Sequence, residues 1–497
     1  MNILLATSEA VPFAKTGGLA DVCGALPGEL ARLGHQPAVI MPAYRKARYC
    51  GVKSHPLGVN FIVPIGSKMV TGHLHEAKMP GTDVPIYLIE QEQYFDRDQL
   101  YSADGKDYID NCERFVFFCR AVMETIRLLD LHVDVLHCND WQTGLIPALL
   151  KIEYAHVPRY QEIGSLLTIH NLAYQGTFWH WDMLLTGLDW KYFNWREMEF
   201  HGNLNLLKTG LVYADSINTV SPRYAEEIQS SPLGCGLEGV LQHRGSELSG
   251  ILNGIDTNIW NPATDEHLPA TYDVESFADG KARCKAALQQ EMGLPVQPGT
   301  PLLGVIGRLA EQKGIDLIAE VLQRWLQHED AQWVILGTGD PKYHRLLRTL
   351  ADRFPQRLAA RLEFSNPLAH RIEAGADMFL MPSRYEPCGL NQMYSHRYGT
   401  LPVVRGTGGL ADTINPLTEN EMHEAGDCDG FSFAEYSPLA LNETLIRACG
   451  IYRHYPMTWA AMVRNAMSRD WSWARSAAEY ASLYETTVER ARQVVTV

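Results

Sequence analysis

Short apolar runs alternate along the chain with longer segments in which apolar residues return every three or four positions. Short runs bounded by turn residues are typical of buried strands, and the longer periodic segments are typical of helices. Asn2–Thr7 is the first predicted strand, a helix is predicted from about Leu19 to Leu33, and Pro37–Met41 is the next strand. This strand–helix–strand order predicts a parallel, doubly wound α/β sheet.

Two further predicted strands in the first half end in polar residues. Val133–His137 runs into Asp140, and Ser165–Ile169 runs into His170. Gly17 lies in the loop after the first strand, which is the same kind of position. Because open α/β sheets bind ligands at the carboxyl ends of their strands, these residues are candidates for a site.

The α/β pattern restarts in the second half, after a segment rich in Pro, Asp and Gly. Strands are predicted there at Leu302–Ile306, Gln332–Leu336 and Met378–Pro382, with a helix from Ile315 to about Leu326. The last stretch, Ser472–Val497, has helical spacing, with Trp473, Ala477, Tyr480 and Tyr484 on one face. The chain is therefore expected to form two α/β domains, the second beginning near residue 255, followed by a helix.

The turn Arg384–Leu390 connects a predicted strand to a segment, Leu390–Tyr398, that can form a helix. Free N–H groups at a helix start can hold an anion, and the carboxylate of Glu386 can hold hydroxyl groups. A site that binds phosphate and a polyol together indicates a sugar nucleotide. The alternative is that Glu386 only caps the helix and Gly389 only eases the turn.

Cations follow strands at two places. Arg308 and Lys313 share a loop directly after a strand and could neutralise a diphosphate. Lys15 stands beside Gly17 and Gly18, where the backbone can come close to a ligand. A solvated charged loop is the alternative interpretation of the segment that holds Arg308 and Lys313.

A segment between residues 174 and 200 is rich in aromatic residues at irregular spacing. They are Tyr174, Phe178, Trp179, Trp181, Trp190, Tyr192, Phe193, Trp195 and Phe200. Sugars stack on aromatic faces, so the segment could face a carbohydrate. It could equally be an irregular segment packed by its own side chains.

The composition is that of a globular protein, with 497 residues, 46% hydrophobic and 20% charged. The net charge of −15 disfavours nucleic acid or an anionic membrane as a partner. The apolar start has no basic residue before Lys15, and no apolar run is long enough to span a bilayer, so we expect no secretory signal and no membrane span. Ten cysteines without a C-x-x-C pair predict reduced thiols and a cytoplasmic protein.

Competing motifs are broken or absent from the sequence. Gly337–Lys342 lacks the third glycine of a dinucleotide fingerprint, and no Walker A sequence occurs. Asp427-Cys428-Asp429 has an Asp-x-Asp pattern but stands between glycines in a predicted surface turn, and the histidines lack zinc spacing. We therefore predict no metal and no cofactor.

Six motifs in order resemble those of the bacterial glycogen synthases and plant starch synthases. They are Lys15–Asp21, His137–Trp141, His170–Gly176, Leu252–Asp256, Gly307–Gly314 and Arg384–Leu390. The resemblance extends over nearly the whole length. It implies a GT-B fold of two Rossmann-like domains facing across a cleft, residues 1–252 and 253–471, with a C-terminal helix at 472–497 that crosses back to the first domain.

The resemblance also implies the reaction, transfer of glucose from ADP-glucose to the 4-hydroxyl at the non-reducing end of an α-1,4-glucan such as glycogen. Configuration is retained, and no metal is used. The implied catalytic residues are Asp140, His170, Arg308, Lys313 and Glu386. The implied substrate-binding residues are Lys15, Gly17, Gly18, Asp21, Tyr101, Asn171, Asn253, Phe364, Cys388, Gly389 and Leu390.

Two positions depart from the family pattern. Many GT-B relatives carry a second glutamate where this chain has Tyr394, and some members have threonine where it has Asn391. We assign Tyr394 no catalytic role. The alternatives are a related GT-B enzyme that uses UDP-glucose or another acceptor, a dehydrogenase, and a glucan-binding protein without catalysis. The sequence leaves the oligomeric state undetermined.

Overall fold

The computed structural model describes residues 1–103, 105–418 and 424–495. The chain divides into two compact units, one formed by Met1–Gly254 together with the segment that begins at Trp473, and the other by Ile255–Ser472. Each unit has its own sheet and its own apolar core. Within the described residues, no helix is both long enough and apolar enough to cross a membrane.

The first unit is built on a large twisted sheet with helices on both faces. Its strands are β1 (Asn2–Ala6), β2 (Gln36–Pro42), β3 (His55–Ile65), β4 (Lys68–Lys78), β5 (Pro85–Glu90), β6 (Ser102–Ala103), β7 (Lys106–Asp107), β8 (Val135–Asn139), β9 (Gly164–Ile169), β10 (Thr177–Phe178), β11 (Glu199–Phe200), β12 (Asn203–Asn205), β13 (Ser216–Thr219) and β14 (Leu248–Gly250). Its helices up to residue 254 are α1 (Gly18–Arg32), α2 (Arg45–Arg48), α3 (Glu92–Phe95), α4 (Asn111–Leu128), α5 (Leu145–Ala148), α6 (Pro158–Gln161), α7 (Met183–Thr186), α8 (Leu206–Tyr213), α9 (Pro222–Glu227) and α10 (Glu238–His243).

The main sheet has the strand order β14-β13-β9-β8-β1-β2-β5-β4-β3. All neighbours from β14 to β5 are parallel, and β3 and β4 form an antiparallel hairpin at one edge. β1 pairs with β2 on one side and with β8 on the other, so the strand order reverses there. Open α/β sheets bind ligands outside the carboxyl ends of the strands at such a reversal.

β1 shows why its apolar run predicted a buried strand. Leu4 and Ala6 belong to the core on one face of the sheet, whereas Ile3 and Leu5 belong to the core on the other face. Successive side chains point to opposite faces, so a parallel strand covered on both sides needs a continuous apolar sequence.

β8 begins two residues later than predicted, at Val135. The Asp134 carboxylate accepts hydrogen bonds from the backbone N–H (2.7 Å) and side-chain amide (3.2 Å) of Asn2, so the chain enters the sheet after that residue. At its other end the strand continues through Asn139, which pairs with Thr168 of β9.

The second unit repeats the architecture. Its strands are β15 (Leu302–Ile306), β16 (Gln332–Leu336), β17 (Leu358–Arg361), β18 (Met378–Met381), β19 (Leu401–Arg405) and β20 (Phe431–Phe433). Its helices are α11 (Phe277–Glu291), α12 (Ile315–His328), α13 (Pro341–Arg353), α14 (Asn366–Gly375), α15 (Asn391–Arg397), α16 (Gly408–Thr413), α17 (Pro438–His454) and α18 (Pro456–Met467). The parallel sheet has the order β17-β16-β15-β18-β19-β20, with its reversal between β15 and β18. These elements confirm the strands predicted at 302–306 and 332–336.

The last helix, α19 (Trp473–Val495), packs on the first unit. Its predicted apolar face is confirmed, because Trp473, Ala477, Tyr480 and Tyr484 are all buried in one cluster with residues of β1, β8, β9 and α1. The Tyr484 hydroxyl also lies 2.9 Å from Nδ1 of His137. His137 therefore anchors this helix rather than facing a site.

The predicted surface turn at 427–429 is only partly right. Asp427 is exposed, but Asp429 is fully buried. The Asp429 carboxylate accepts the backbone N–H of Asn415 (2.7 Å) and pairs with Arg469 (2.7 Å), and these contacts compensate for its desolvation. Burial still raises the pKa of Asp429 to about 6.

Candidate active site

A buried carboxylate, Glu9, holds the loop that follows β1. Its Oε2 accepts the backbone N–H of Thr16, and its Oε1 accepts the hydroxyls of Thr16 (2.5 Å) and Tyr101 (2.7 Å). The Tyr101 hydroxyl is also 2.8 Å from Oγ of Ser8. Glu9 is not among the site residues predicted from the sequence, although its position directly after the first strand would have indicated it.

Lys15 and Gly17 lie at the free end of this loop. Lys15 Nζ pairs with Oδ1 of Asp21 at 2.6 Å, and both side chains contact solvent. Gly17 is the residue before α1, and a Cβ added at Gly17 or Gly18 would meet no described atom within 4 Å. The first N–H groups of a 15-residue helix therefore adjoin open space beside a lysine, an arrangement suited to an anion.

Asp140 and His170 are brought together at the ends of β8 and β9. Oδ1 of Asp140 accepts the backbone N–H of His170 at 2.7 Å. Asp140 has a φ of 55°, a strained value for a residue with a side chain. Desolvation raises the pKa of Asp140 to about 7, against the opposing effect of hydrogen bonds from the backbones of His170 and Asn171.

The His170 ring is fixed by Asn139. The Asn139 amide group donates to the backbone carbonyls of Ala6 (3.1 Å) and His137 (3.3 Å), so its Oδ1 points to Nε2 of His170 at 2.9 Å. Nε2 therefore carries the proton. Burial lowers the pKa of His170 to about 3, so the ring is neutral near pH 7. Asn171 accepts the N–H of Ala173 in a turn at the surface.

In the second unit, Lys313 and Glu386 form a close pair. Lys313 Nζ lies 2.9 Å and 2.7 Å from the two oxygens of the Glu386 carboxylate, and the Ser383 hydroxyl donates to Oε2 at 3.0 Å. Glu386 is 5% exposed. The cation proposed for phosphate and the carboxylate proposed for sugar hydroxyls therefore lie side by side after β15 and β18.

Two glycines pack against the turn that holds Glu386. A Cβ at Gly408 would be 2.1 Å from the carbonyl oxygen of Glu386, and a Cβ at Gly409 would be 2.1 Å from that of Cys388. Gly409 N–H also donates to the Glu386 carbonyl at 3.1 Å. These glycines belong to the sequence Thr-Gly-Gly-Leu-Ala-Asp that occurs at 16–21 and again at 407–412. Both copies begin a helix, α1 and α16.

The turn continues into α15 through Gly389, which has a φ of +76°. Asn391, one of the two departures from the family pattern, donates from Nδ2 to the carbonyl of Ile306 at the end of β15 (3.0 Å). Tyr394, the other departure, stacks on Trp260 with ring centroids 3.8 Å apart. Both residues therefore have structural roles in holding α15.

Arg308 is exposed, and its Nη2 donates to Oε1 of Gln312 at 3.2 Å. The carbonyl of Gln312 accepts the N–H of Arg384 at 2.8 Å, which joins the loop of Arg308 and Lys313 to the turn of Glu386. Phe364 is 88% exposed, and the structure shows no contact that joins it to this group within the described residues. Asn253 lies in the first unit, is buried, and has an Oδ1 without a hydrogen-bond partner in the part of the chain described.

Comparison with solved structures defines the class of protein. The catalytic domain of starch synthase IV from Arabidopsis thaliana, solved with ADP and acarbose, matches with a TM-score of 0.89 and 32% identity over 98% of this chain and 99% of that one. Sucrose-phosphate synthase from Thermosynechococcus elongatus shares the fold alone, with a TM-score of 0.57 and 15% identity. Residues 291–450 match the family model described as glycosyl transferases group 1. The protein is a glycosyltransferase of the GT-B class, with two Rossmann-like units.

The sequence comparisons narrow this class further. Residues 2–243 match the family model described as the starch synthase catalytic domain. The glycogen synthase of Rhodopirellula baltica is 48% identical over 99% of both chains, and that of Syntrophotalea carbinolica is 46% identical over 98% of this chain and 99% of the relative. The chain therefore belongs to the glycogen synthase and starch synthase family and is a glycogen synthase-type glucosyltransferase.

Proposed function

We propose that the protein transfers glucose from ADP-glucose to the 4-hydroxyl at the non-reducing end of an α-1,4-glucan, with retained configuration and without a metal. The observation that carries this proposal is the contact of Lys313 with Glu386 at 2.7 Å. A leaving diphosphate needs a cation and the transferred sugar needs a hydrogen-bond acceptor, and this pair offers both at one point. The related Arabidopsis starch synthase was solved with ADP and acarbose, which supports a nucleotide donor and a glucan-like acceptor.

We assign the donor phosphates to Lys15, the backbone at Gly17 and Gly18, Arg308 and Lys313. The transferred glucose contacts Glu386 and the turn of Cys388, Gly389 and Leu390. The remaining proposed contacts are Asp21, Tyr101, Asn171, Asn253 and, for adenine, Phe364.

In the proposed step, the bond between glucose C1 and the phosphate oxygen breaks, and a bond from C1 to the acceptor's 4-oxygen forms on the same face. The acceptor's proton passes to the departing phosphate. Arg308 and Lys313 offset the charge that grows on this phosphate, the kind of stabilisation that contributes most to such reactions. Asp140 and His170 line the reacting face, where the neutral ring of His170 adds no positive charge beside a cationic sugar.

Glu386 accepts hydrogen bonds from glucose hydroxyls in this account and forms no covalent bond. Both of its oxygens already accept from Lys313, and Oε2 also accepts from Ser383. The ten cysteines, none of them in a disulfide, fit the reducing cytoplasm in which we place the reaction.

The test is an incubation matrix of ADP-glucose or UDP-glucose, each with and without glycogen, and each with and without EDTA. We expect transfer from ADP-glucose to glycogen, with chelation changing the rate by less than about twofold, since loss of a metal would cost far more. A preference for UDP-glucose would show that UDP-glucose, and not ADP-glucose, is the donor. Loss of activity in EDTA with recovery on adding Mg²⁺ would contradict the metal-free mechanism.

A further inference from the structure

The turn that carries Glu386 is followed by Gln392, a fully buried side chain on α15. Its Nε2 donates to the backbone carbonyls of Cys388 at 3.0 Å and of Gly389 at 3.1 Å. Carbonyl oxygens only accept hydrogen bonds, so the nitrogen of the amide, and not its oxygen, faces them. One buried side chain therefore holds two successive carbonyls of this turn on its inner side.

The amide of Gln392 is itself held by the neighbouring helix α16. Nε2 lies 3.3 Å from Oγ1 of Thr413, whose hydroxyl donates to the carbonyl of Gly409 at 2.6 Å. The N–H of Gly409 in turn donates to the carbonyls of Glu386 at 3.1 Å and Pro387 at 3.2 Å. The four successive carbonyls of the turn are therefore held by α16 and Gln392.

Holding these carbonyls also fixes the N–H groups of the same peptide units. In a planar trans peptide the C=O and N–H bonds point in opposite directions. The N–H groups of Gly389 and Leu390, which share peptide units with the carbonyls bonded to Gln392, therefore point away from it. Neither N–H donates to a backbone carbonyl within the described residues, and both residues are half-buried. Two successive N–H groups on one side of a turn suit an acceptor oxygen.

Filling space does not require an amide at this position. Oε1 of Gln392 has no hydrogen-bond partner in the part of the chain that is described, and a buried unpaired oxygen lowers stability. Methionine would fill nearly the same volume without that oxygen. It could not, however, donate hydrogen bonds to the turn. A Cβ at Gly389 would lie 2.5 Å from Oε1, so the amide also packs closely on this backbone.

We propose that Gln392 is a positioning residue for the donor. Its amide holds the carbonyls of Cys388 and Gly389 inward and thereby directs the N–H groups of Gly389 and Leu390 to an oxygen of the bound sugar nucleotide. This inference rests on the proposed function, in which the same turn contacts the donor. The oxygen belongs either to a phosphate or to a glucose hydroxyl, since a backbone N–H can donate to both.

Hydrogen exchange of the whole parent protein tests where these N–H groups point. The amides of Gly389 and Leu390 should exchange quickly in the free protein and roughly tenfold more slowly with donor bound. Slowing by ADP alone identifies a phosphate as the acceptor, whereas slowing by ADP-glucose but not by ADP identifies a glucose hydroxyl. Fast exchange with both ligands, at concentrations that calorimetry shows to be saturating, would overturn the proposal.

The variant Gln392→Met keeps the volume of the side chain but removes both hydrogen bonds. We expect kcat/KM for ADP-glucose to fall roughly 10–100-fold, the effect typical of misplacing a bound group by about 1 Å. The KM for glycogen, measured with saturating donor, should change by less than about twofold, because the turn contacts only the donor in the proposed assignment.

Gln289→Met is the matched control. Gln289 is an equally buried amide on α11 of the same unit, where its Nε2 donates to the carbonyl of Gln297 at 3.3 Å. Its hydrogen bonds among the described residues do not involve the turn of Glu386. Gln289→Met should therefore keep the kinetic constants of the parent even where its melting temperature falls.

An unchanged kcat/KM in folded Gln392→Met would overturn the proposal. So would a loss of the same size in Gln289→Met, which would show that lower stability alone accounts for it. If Gln392→Met does not fold, the exchange measurement on the parent decides. Transfer by the parent is measured first, in the incubation matrix, so a wrong donor is recognised separately from a wrong role of Gln392.

Discussion

Glu386 is fixed on two sides, by Lys313 at 2.7 Å and by the Ser383 hydroxyl at 3.0 Å, and this geometry predicts how its variants behave. An amide can replace a carboxylate as a hydrogen-bond acceptor but cannot replace it as a nucleophile. Glu386→Gln should therefore retain measurably more transferase activity than Glu386→Ala, and mass spectrometry after quenching with donor alone should show no glucosyl-enzyme. Equal losses, with azide rescue of Glu386→Ala giving a β-glucosyl azide, would establish a nucleophile instead.

Arg308 and Lys313 are assigned to charge that develops in the transition state. Alanine at either position should lower kcat by roughly 10²–10³-fold, the effect typical of removing one electrostatic stabiliser. Glucan affinity should be nearly unchanged. Lys342→Ala is the matched control, because Lys342 is a nearby exposed lysine paired with Glu311 at 2.7 Å. A normal kcat in either site variant would remove that residue from the mechanism.

Asp140 predicts a pH dependence of stability. Its pKa is raised to about 7 by burial, so the folded protein favours the protonated form. The corresponding stabilisation is fully present below pH ~4 and is lost as pH rises through about 7. Asp140→Asn removes this titration, so its stability relative to the parent should rise by up to about 4 kcal/mol between pH 4 and pH 8.

Urea unfolding at both pH values measures this difference, with Asp189→Asn, at an exposed carboxylate, as the control. A stability difference that does not change with pH would contradict the raised pKa of Asp140.

The sequence pointed to the residues at the strand ends but not to their partners. Asp140, His170 and Glu386 could be predicted because each follows an apolar run. The sequence did not show that Asn139 orients His170, or that Glu9, although it follows the first strand, holds the loop of Thr16. Their roles depend on contacts between β8 and β9 and across the loop after β1, and no local pattern encodes such contacts.

Among the elements, α19 makes the clearest prediction. Its Tyr484 is buried and bonded to His137 of β8 at 2.9 Å. Tyr484→Phe should cost about 1 kcal/mol for the lost hydrogen bond, and Tyr484→Ala about 3–5 kcal/mol because it also leaves a cavity.

Thermal or urea unfolding measures both costs, and Glu485→Ala, on the exposed side of the same helix, should be neutral. Equal stability of the parent and Tyr484→Ala would show that α19 does not stabilise the first unit.

Elements with continuous apolar sequences were predicted most accurately. The predicted bounds of β15 and β16 are those of the structure, whereas β8 is displaced by two residues. Hydrophobicity identifies the buried interior of a strand, but its ends are set by individual polar contacts such as that of Asp134 with Asn2. The sequence could not predict whether the aromatic side chains at 174–200 are buried or exposed, because their exposure depends on which other segments pack against them.

At the scale of the whole molecule, the alternation of strands and helices predicted two parallel α/β units, and the fold confirms this class. The repeated Thr-Gly-Gly-Leu-Ala-Asp sequence serves both units, beginning α1 in one and packing against the turn of Glu386 in the other. Close backbone approach explains the glycines in the second copy. In the first copy, Gly17 and Gly18 border open space, so backbone packing does not explain them. We propose that they allow a ligand to approach the backbone there.

The most direct test of the proposed reaction is NMR of the product from maltoheptaose and ADP-glucose labelled with ¹³C at carbon 1 of the glucose. We expect a new α-anomeric signal of a 1→4-linked residue at the non-reducing end, removable by an α-1,4-specific exo-hydrolase. A β-anomeric signal, a linkage to another hydroxyl, or label appearing only in free glucose would contradict it.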